Sequence, residues 1–181
     1  VGSTAEKYAE ELFDRYGADA VTINPYLGFD AMEPFLRRQE KGIFILCRTS
    51  NPDGADLQNL ALANGRRVYE HVAEQAATRW NANRNVGLVT GATHPQELGR
   101  IRQLVGGMPL LIPGVGAQGG DIGATVNAGK GGGMIINSAR AIIYASETAD
   151  FGPRARAAAM ATRDQINHFL EDPGRSGQIS E

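Results

Sequence analysis

The feature that most constrains the fold of this chain is a regular alternation of short apolar runs with longer segments of helical periodicity. Five runs have the length and composition of buried strands: ADAVTIN, GIFILC, VGLVT, PLLIP and GMIIN. GIFILC in particular is apolar throughout, as expected for a strand that is buried on both faces of a parallel sheet. The helical segments would supply the crossovers that parallel strands require. The sequence therefore predicts an α/β protein.

Two architectures fit this alternation: an open doubly wound sheet, or part of a closed (β/α) barrel. A complete (β/α)8 barrel typically has about 250 residues, whereas this chain has 181. The chain starts at Val1 rather than at methionine and opens directly on a helix-start signal. Five strand–helix units in this length would be a barrel that lacks its first three.

Composition narrows the classes of function. Basic and acidic residues nearly balance, at a net charge of -2, and neither sign forms a long run. The sequence therefore lacks the basic patch that is typical of proteins that bind nucleic acid or a membrane surface. The single cysteine, Cys47, lies in an apolar run and fits a reducing compartment, and no segment approaches the roughly 18 apolar residues of a membrane span. The three histidines lack metal-ligand spacing. We therefore expect a cytoplasmic protein without a metal site.

The loop LLIPGVGAQGGD, residues 110–121, is unusually rich in glycine after a buried strand. Glycine lets the backbone approach a ligand closely and aim N–H groups at an anion, which makes phosphate the first candidate ligand. The alternative is a tight turn between a strand and a helix that Asp121 caps.

Ligands of parallel α/β proteins bind at the carboxyl ends of the strands, and all five predicted strands are followed by polar residues. These residues are Asn24; Arg48, Ser50 and Asn51; Thr93 and His94; Gln118; and Asn137, Ser138 and Arg140. Arg140 offers forked donors to phosphate oxygens, although a salt bridge to a carboxylate on a neighbouring helix would also explain it. Arg48 would either line the mouth of the site or pair with Asp53 or Asp56.

Four segments together give the sequence a specific resemblance: IPGVGAQGGD followed by a strand and SAR, ADAVTINPYLG, LCRTSNP, and TGATHP. In this combination the chain resembles orotidine 5'-phosphate decarboxylase, in the longer bacterial branch of that family. The resemblance implies a (β/α)8 TIM barrel, of which this chain would be the C-terminal portion with the last five strand–helix units, as one domain over residues 1–181. It also implies a homodimer with shared active sites that converts orotidine 5'-monophosphate to UMP in pyrimidine biosynthesis, without metal or organic cofactor.

The resemblance assigns roles to individual positions. Gln118 and Arg140 would hold the 5'-phosphate, with the backbone at Ala139 beside Arg140. Thr93 would hydrogen-bond the pyrimidine, and Pro113 and Val115 would line the apolar pocket near the scissile carboxylate. Thr4 would reach the ribose in the neighbouring subunit's site, with a helix cap as the alternative role.

The sequence departs from the family at its catalytic array, Asp-x-Lys-x-x-Asp followed by an aliphatic residue and a threonine. Val1 and Thr4 match the last two positions, so the array is expected immediately upstream of Val1, and the chain itself carries no catalytic residue. Lys7, Lys41 and Lys130, its only lysines, lie elsewhere. The alternatives are another sugar-phosphate barrel enzyme, such as a metal-dependent hexulose-phosphate synthase, and an inactive homologue that binds phosphate ligands.

Overall fold

The computed structural model describes residues 1–116 and 120–171. Five parallel strands form one sheet in the order β1-β2-β3-β4-β5. The strands are β1 (Ala20–Ile23), β2 (Gly42–Arg48), β3 (Val86–Thr90), β4 (Leu110–Pro113) and β5 (Met134–Asn137). Each of the predicted apolar runs therefore contains a strand.

Helices connect the strands and precede the first. They are α1 (Gly2–Ala9), α2 (Phe29–Leu36), α3 (Ala55–Gln58), α4 (Val68–Gln75), α5 (Pro95–Val105), α6 (Ile122–Gly129), α7 (Arg140–Ile143) and α8 (Phe151–Glu171). Wider π-helical turns extend α1 over Glu10–Arg15 and α4 over Ala76–Trp80, and short 3-10 turns follow β1 (Pro25–Leu27) and β2 (Pro52–Gly54). Pro95 occupies the first turn of α5, where its missing N–H costs no helical hydrogen bond.

The core takes alternate residues from every strand. Helix-facing strand residues in the core or packed against it are Val21, Ile23, Ile43, Ile45, Cys47, Val86, Leu88, Leu110, Ile112, Met134 and Ile136. The intervening residues lie outside this cluster, and Thr22 and Ile135 on the two edge strands are exposed. The helices thus pack against one face of the sheet, whereas a doubly wound fold covers both.

Strand order settles the choice between the two predicted architectures. A doubly wound sheet reverses its order at a switch point, whereas strands of a barrel follow one another around the axis. The consecutive order and the single layer of helices are those of a (β/α)8 TIM barrel, of which five strand–helix units are present. Within the described residues, no helix is long and apolar enough to cross a bilayer.

Candidate active site

The carboxyl ends of β4 and β5 border a small cleft. It is lined by Pro113, Gly114, Val115, Asn137, Ser138, Ala139 and Arg140. The structure therefore brings together four of the predicted site residues: Pro113, Val115, Ala139 and Arg140. The fifth residue predicted for this place, Gln118, lies outside the described residues.

Arg140 is exposed at the start of α7, directly after Ala139. The side chain forms no ion pair within residues 1–116 and 120–171. The alternative role in a salt bridge to a neighbouring helix is therefore not seen. A guanidinium free of carboxylates at the edge of a cleft can bind an anion through its forked N–H groups.

Gly114, Gly116 and Gly120 of the glycine-rich loop lie close to one another, and Gly120 lies close to Ala92 after the end of β3. Gly116 N–H donates to the carbonyl of Gly120 at 3.2 Å, and Gly120 N–H donates to Gly114 at the same distance. A Cβ on Gly120 would lie 2.7 Å from the Cβ of Ala92, so a side chain here would force the loop away from β3. Asp121 also caps α6, since its Oδ1 accepts the N–H of Ala124 at 2.6 Å. The loop therefore includes the predicted helix cap, and its close backbone approach is a property that a phosphate cradle would share.

Pro113 and Val115 line the cleft with apolar side chains. Val115 is only 2% exposed and belongs to the hydrophobic core, and Pro113 is half-buried. The carbonyl of Pro113 accepts the N–H of Ala92 at 2.9 Å, which joins the exits of β3 and β4. This part of the cleft is thus apolar and fixed to the sheet.

Thr93 lies on the next loop, after β3. Its hydroxyl donates to the backbone carbonyl of Ser50 at 3.1 Å. Ser50, Asn51, Pro52, Thr93 and His94 line an open cavity between the loops that follow β2 and β3. Because its proton is engaged, the Thr93 hydroxyl can act toward a ligand as an acceptor.

Thr4 is not part of either cavity. It lies exposed on α1, where Val1, Thr4, Tyr8, Ile23 and Asn24 are among the residues that line a cleft beside β1. The N-cap of α1 is Val1, without a side-chain cap, so the capping role for Thr4 is not observed.

The sequence-based hypotheses about Arg48 were wrong. Arg48 is 1% exposed, and its Nε donates to Glu97 Oε2 of α5 at 2.7 Å rather than to Asp53 or Asp56. Cys47, beside it, donates its thiol to the carbonyl of Tyr69 at 3.2 Å. Burial strongly raises the pKa of the Cys47 thiol, which keeps it protonated and unsuited to act as a nucleophile.

Within the described residues, no group of three or more His, Cys, Asp or Glu side chains is arranged to hold a metal ion. The polar side chains that border the cleft and the neighbouring cavity are an arginine, an imidazole, hydroxyls and amides. These groups can bind a phosphorylated ligand and hydrogen-bond a heterocycle.

Comparison with known proteins gives a consistent set of relatives. The sequence profile of the "Orotidine 5'-phosphate decarboxylase / HUMPS family" matches residues 1–151. Orotidine 5'-phosphate decarboxylase of Ralstonia nicotianae is 59% identical over 172 residues, which are 93% of this chain and 63% of the relative. The enzyme of that name from Janthinobacterium sp. is 56% identical over 173 residues, or 94% of this chain and 64% of the relative.

Solved structures agree with the sequence relatives. OMP decarboxylase of Leishmania donovani superimposes with a TM-score of 0.82 at 40% identity, covering 93% of this chain and 64% of that one. UMP synthase of Leishmania donovani gives the same TM-score at 43% identity and is covered over 37% of its length. The chain thus spans a little under two thirds of the curated relatives described above.

Proposed function

The chain belongs to the orotidine 5'-phosphate decarboxylase / HUMPS family, and from this premise we propose that it forms the phosphate- and base-binding side of an enzyme that decarboxylates orotidine 5'-monophosphate to UMP. The observation that carries the proposal is Arg140, an exposed guanidinium without a carboxylate partner in the described part of the chain, at the edge of the cleft between β4 and β5.

The phosphate subsite of this proposal is built around Arg140. Its forked N–H groups would bind two phosphate oxygens, with the backbone at Ala139 beside them. Gln118, on the glycine-rich loop, would add an amide donor. Gly114, which lines the cleft, and Gly116 have positive φ angles of 96° and 78°, a conformation that side chains disfavour.

The base and the reacting carboxylate would lie between this subsite and the loops after β2 and β3. Thr93 would accept a hydrogen bond from the pyrimidine ring, and Pro113 and Val115 would present apolar surface to the carboxylate. An apolar surface disfavours a carboxylate more than neutral CO2, so it would assist departure of the leaving group.

The reaction breaks the bond between C6 and the carboxylate carbon, and the electron pair stays on C6 while CO2 leaves. A lysine ammonium of the charged array, which the resemblance places upstream of Val1, would stabilise this carbanion and then give it a proton. No metal or organic cofactor takes part. Binding energy from the distant phosphate organises the reacting end of the substrate, so loss of the phosphate contacts lowers turnover as well as affinity.

The proposal includes a homodimer with shared active sites in the cytoplasm. Thr4 lies on the exposed side of α1, in a cleft apart from the one that holds Arg140. A residue that contacts the ribose in a neighbouring subunit's site would need to be accessible in this way.

The test is a decarboxylation assay with orotidine 5'-monophosphate on the complete polypeptide as its gene encodes it, wild type and Arg140→Ala. We expect turnover that persists in EDTA and a large loss of kcat/KM in the variant. Activity toward another sugar phosphate that EDTA abolishes would instead indicate a metal-dependent barrel enzyme. Binding of UMP without decarboxylation would indicate an inactive homologue.

A further inference from the structure

The loop after β2 is held by a polar cluster, which consists of the buried Arg48 and the half-buried Gln58 and Glu97. We propose that Arg48 is a positioning residue: together with Gln58 and Glu97 it fixes the backbone of Thr49 and Ser50 against Thr93, and so sets the shape of the cavity that receives the nucleobase. The inference rests on the proposed function, since it concerns the base subsite of that enzyme.

An irregularity in the sheet determines where Arg48 points. Leu46 pairs with Val89 and Arg48 pairs with Thr90, so Cys47 is an extra residue in β2. Such a bulge changes the side to which the following residue is directed. The contact of Arg48 with Glu97 of α5 shows that its side chain lies among the helices, although strict alternation from Leu46 would direct it to the opposite face.

Arg48 is bound on several sides. Its Nε donates to Glu97 Oε2 at 2.7 Å, and its Nη1 donates to the carbonyl of Thr49 at 2.8 Å and to Gln58 Oε1 at 3.1 Å. Gln58 Oε1 also accepts the N–H of Thr49 at 3.0 Å. One guanidinium and one amide therefore fix both the N–H and the carbonyl of the first residue after the strand.

The fixed segment touches the loop that carries Thr93. Gly91 N–H donates to the carbonyl of Arg48 at 2.7 Å, and the Thr93 hydroxyl donates to the carbonyl of Ser50 at 3.1 Å. A Cβ on Gly91 would lie 2.7 Å from both Cα and N of Ser50. Because the two loops meet backbone to backbone, a movement of Thr49 and Ser50 would displace Thr93.

The segment that follows, residues 51–67, contacts the same cluster. A Cβ on Gly54 would lie 2.7 Å from Thr49 Oγ1 and 3.2 Å from Arg48 Nη1. Asn59 Nδ2 donates to the second oxygen of Glu97 at 3.3 Å. Gly54 and Asn59 of this segment thus pack against the Arg48 cluster, whereas its first two residues, Asn51 and Pro52, line the nucleobase cavity.

The discriminating experiment compares two ligands in calorimetric titrations of the complete polypeptide. UMP would occupy both the phosphate and the base subsites, whereas ribose 5-phosphate lacks the base. The variant is Arg48→Lys, which keeps a positive charge near Glu97 but lacks the fork that also reaches Thr49 and Gln58. Arg38→Lys is the matched control, because Arg38 makes a two-pronged pair with Asp14, at 3.1 and 2.7 Å, near the start of β2 and away from the cavity.

We expect Arg48→Lys to weaken UMP binding at least about tenfold and to leave ribose 5-phosphate within about twofold of wild type. Arg38→Lys should leave both affinities within about twofold. A purely structural role for Arg48 would weaken both ligands alike, and that result, or an unchanged affinity for UMP in a folded variant, would overturn the inference. A wild-type protein that binds neither ligand would refute the proposed function itself.

A second variant applies if Arg48→Lys does not fold. Gln58→Ala removes the acceptor shared by Arg48 and Thr49 from a half-buried position on α3. It should shift UMP affinity in the same direction with ribose 5-phosphate unchanged, and equal affinities for UMP in wild type and Gln58→Ala would overturn the inference.

Discussion

The guanidinium Nη2 of Arg102 donates a hydrogen bond of 3.0 Å to the backbone carbonyl of Gly133, which directly precedes β5. The same side chain donates to the carbonyls of Gly106, Met108 and Gly129 at 2.6, 2.7 and 2.8 Å. Burial lowers the pKa of Arg102, and no carboxylate in the described ranges lies within ion-pair distance. A single cation thus ties the segments before β4 and β5 to α5.

Arg102→Leu should lower the free energy of unfolding by about 3 kcal/mol or more, because it leaves several buried carbonyls without donors. Urea unfolding at neutral pH measures this change. Arg163→Leu is the control, since Arg163 pairs with its neighbour Asp164 on the exposed face of α8 and should change stability by less than about 0.5 kcal/mol. Similar losses in both variants would contradict the role of Arg102.

A second prediction concerns acid stability. Glu70 on α4 accepts hydrogen bonds from Arg100 Nε at 2.7 Å and from the N–H of Arg67 at 2.8 Å. The bond from Arg100 makes the larger contribution and the bond from Arg67 the smaller, and together they lower the pKa of Glu70 from its ordinary value of 4.5. Because the pKa in the folded state lies below that in the unfolded state, the stabilisation is complete above the ordinary pKa. It is lost as the pH falls through the folded-state value.

Glu70→Gln should therefore lower the free energy of unfolding at neutral pH by about 1 kcal/mol, and the difference from wild type should narrow below the ordinary pKa of 4.5. Urea titrations at a series of pH values check this. Glu11→Gln serves as the control, because Glu11 forms no ion pair within the residues that the structure describes. A difference that stays constant down to acidic pH would be inconsistent with the expected linkage.

A third prediction compares two glycines. In Gly91→Ala the new Cβ would meet backbone atoms of Ser50 at 2.7 Å, so the loops after β2 and β3 must separate. We expect a loss of about 1–3 kcal/mol in stability and weaker binding of UMP. Gly99→Ala, on α5, places a Cβ 3.8 Å from that of Ala128, and should stabilise the protein by about 0.5–1 kcal/mol through the lower helix propensity of glycine. Thermal melts and UMP titrations of both variants would show whether the two changes differ in sign.

The fourth prediction tests the phosphate subsite. Arg140→Ala should weaken UMP and ribose 5-phosphate by similar factors, about 10- to 100-fold, because both ligands carry the phosphate. Arg154→Ala is the control, as Arg154 is exposed and its Nε already donates to Asp150 at 2.9 Å. If Arg140→Ala weakened the binding of UMP but not of ribose 5-phosphate, Arg140 would contact the base rather than the phosphate.

Much of the fold could be predicted from the sequence, because apolar runs and helix signals are local. The GIFILC run lies within β2, and each of the other four apolar runs also contains a strand. The bulge at Cys47 could not be predicted, since it is a mismatch in register between β2 and β3 that neither strand shows alone.

Local sequence patterns also limit what could be predicted of the candidate active site. Arg140 could be predicted as an anion-binding candidate because it follows a predicted strand and offers forked donors, and the structure leaves it without an ion pair in the described part of the chain. The partner of Arg48 was predicted among acids nearby in sequence, whereas Glu97 is 49 residues away. That pairing depends on where the start of α5 lies relative to the end of β2, which follows from the tertiary arrangement and not from local spacing.

The consecutive order of the strands has a consequence for how the protein is made. Every strand from β2 onward hydrogen-bonds to the strand that precedes it in the chain. During synthesis from the N-terminus, each emerging strand–helix unit therefore finds the edge to which it pairs already outside the ribosome. The sheet formed by β1 to β5 can therefore grow one unit at a time, because each strand from β2 to β5 meets its first partner as soon as it emerges.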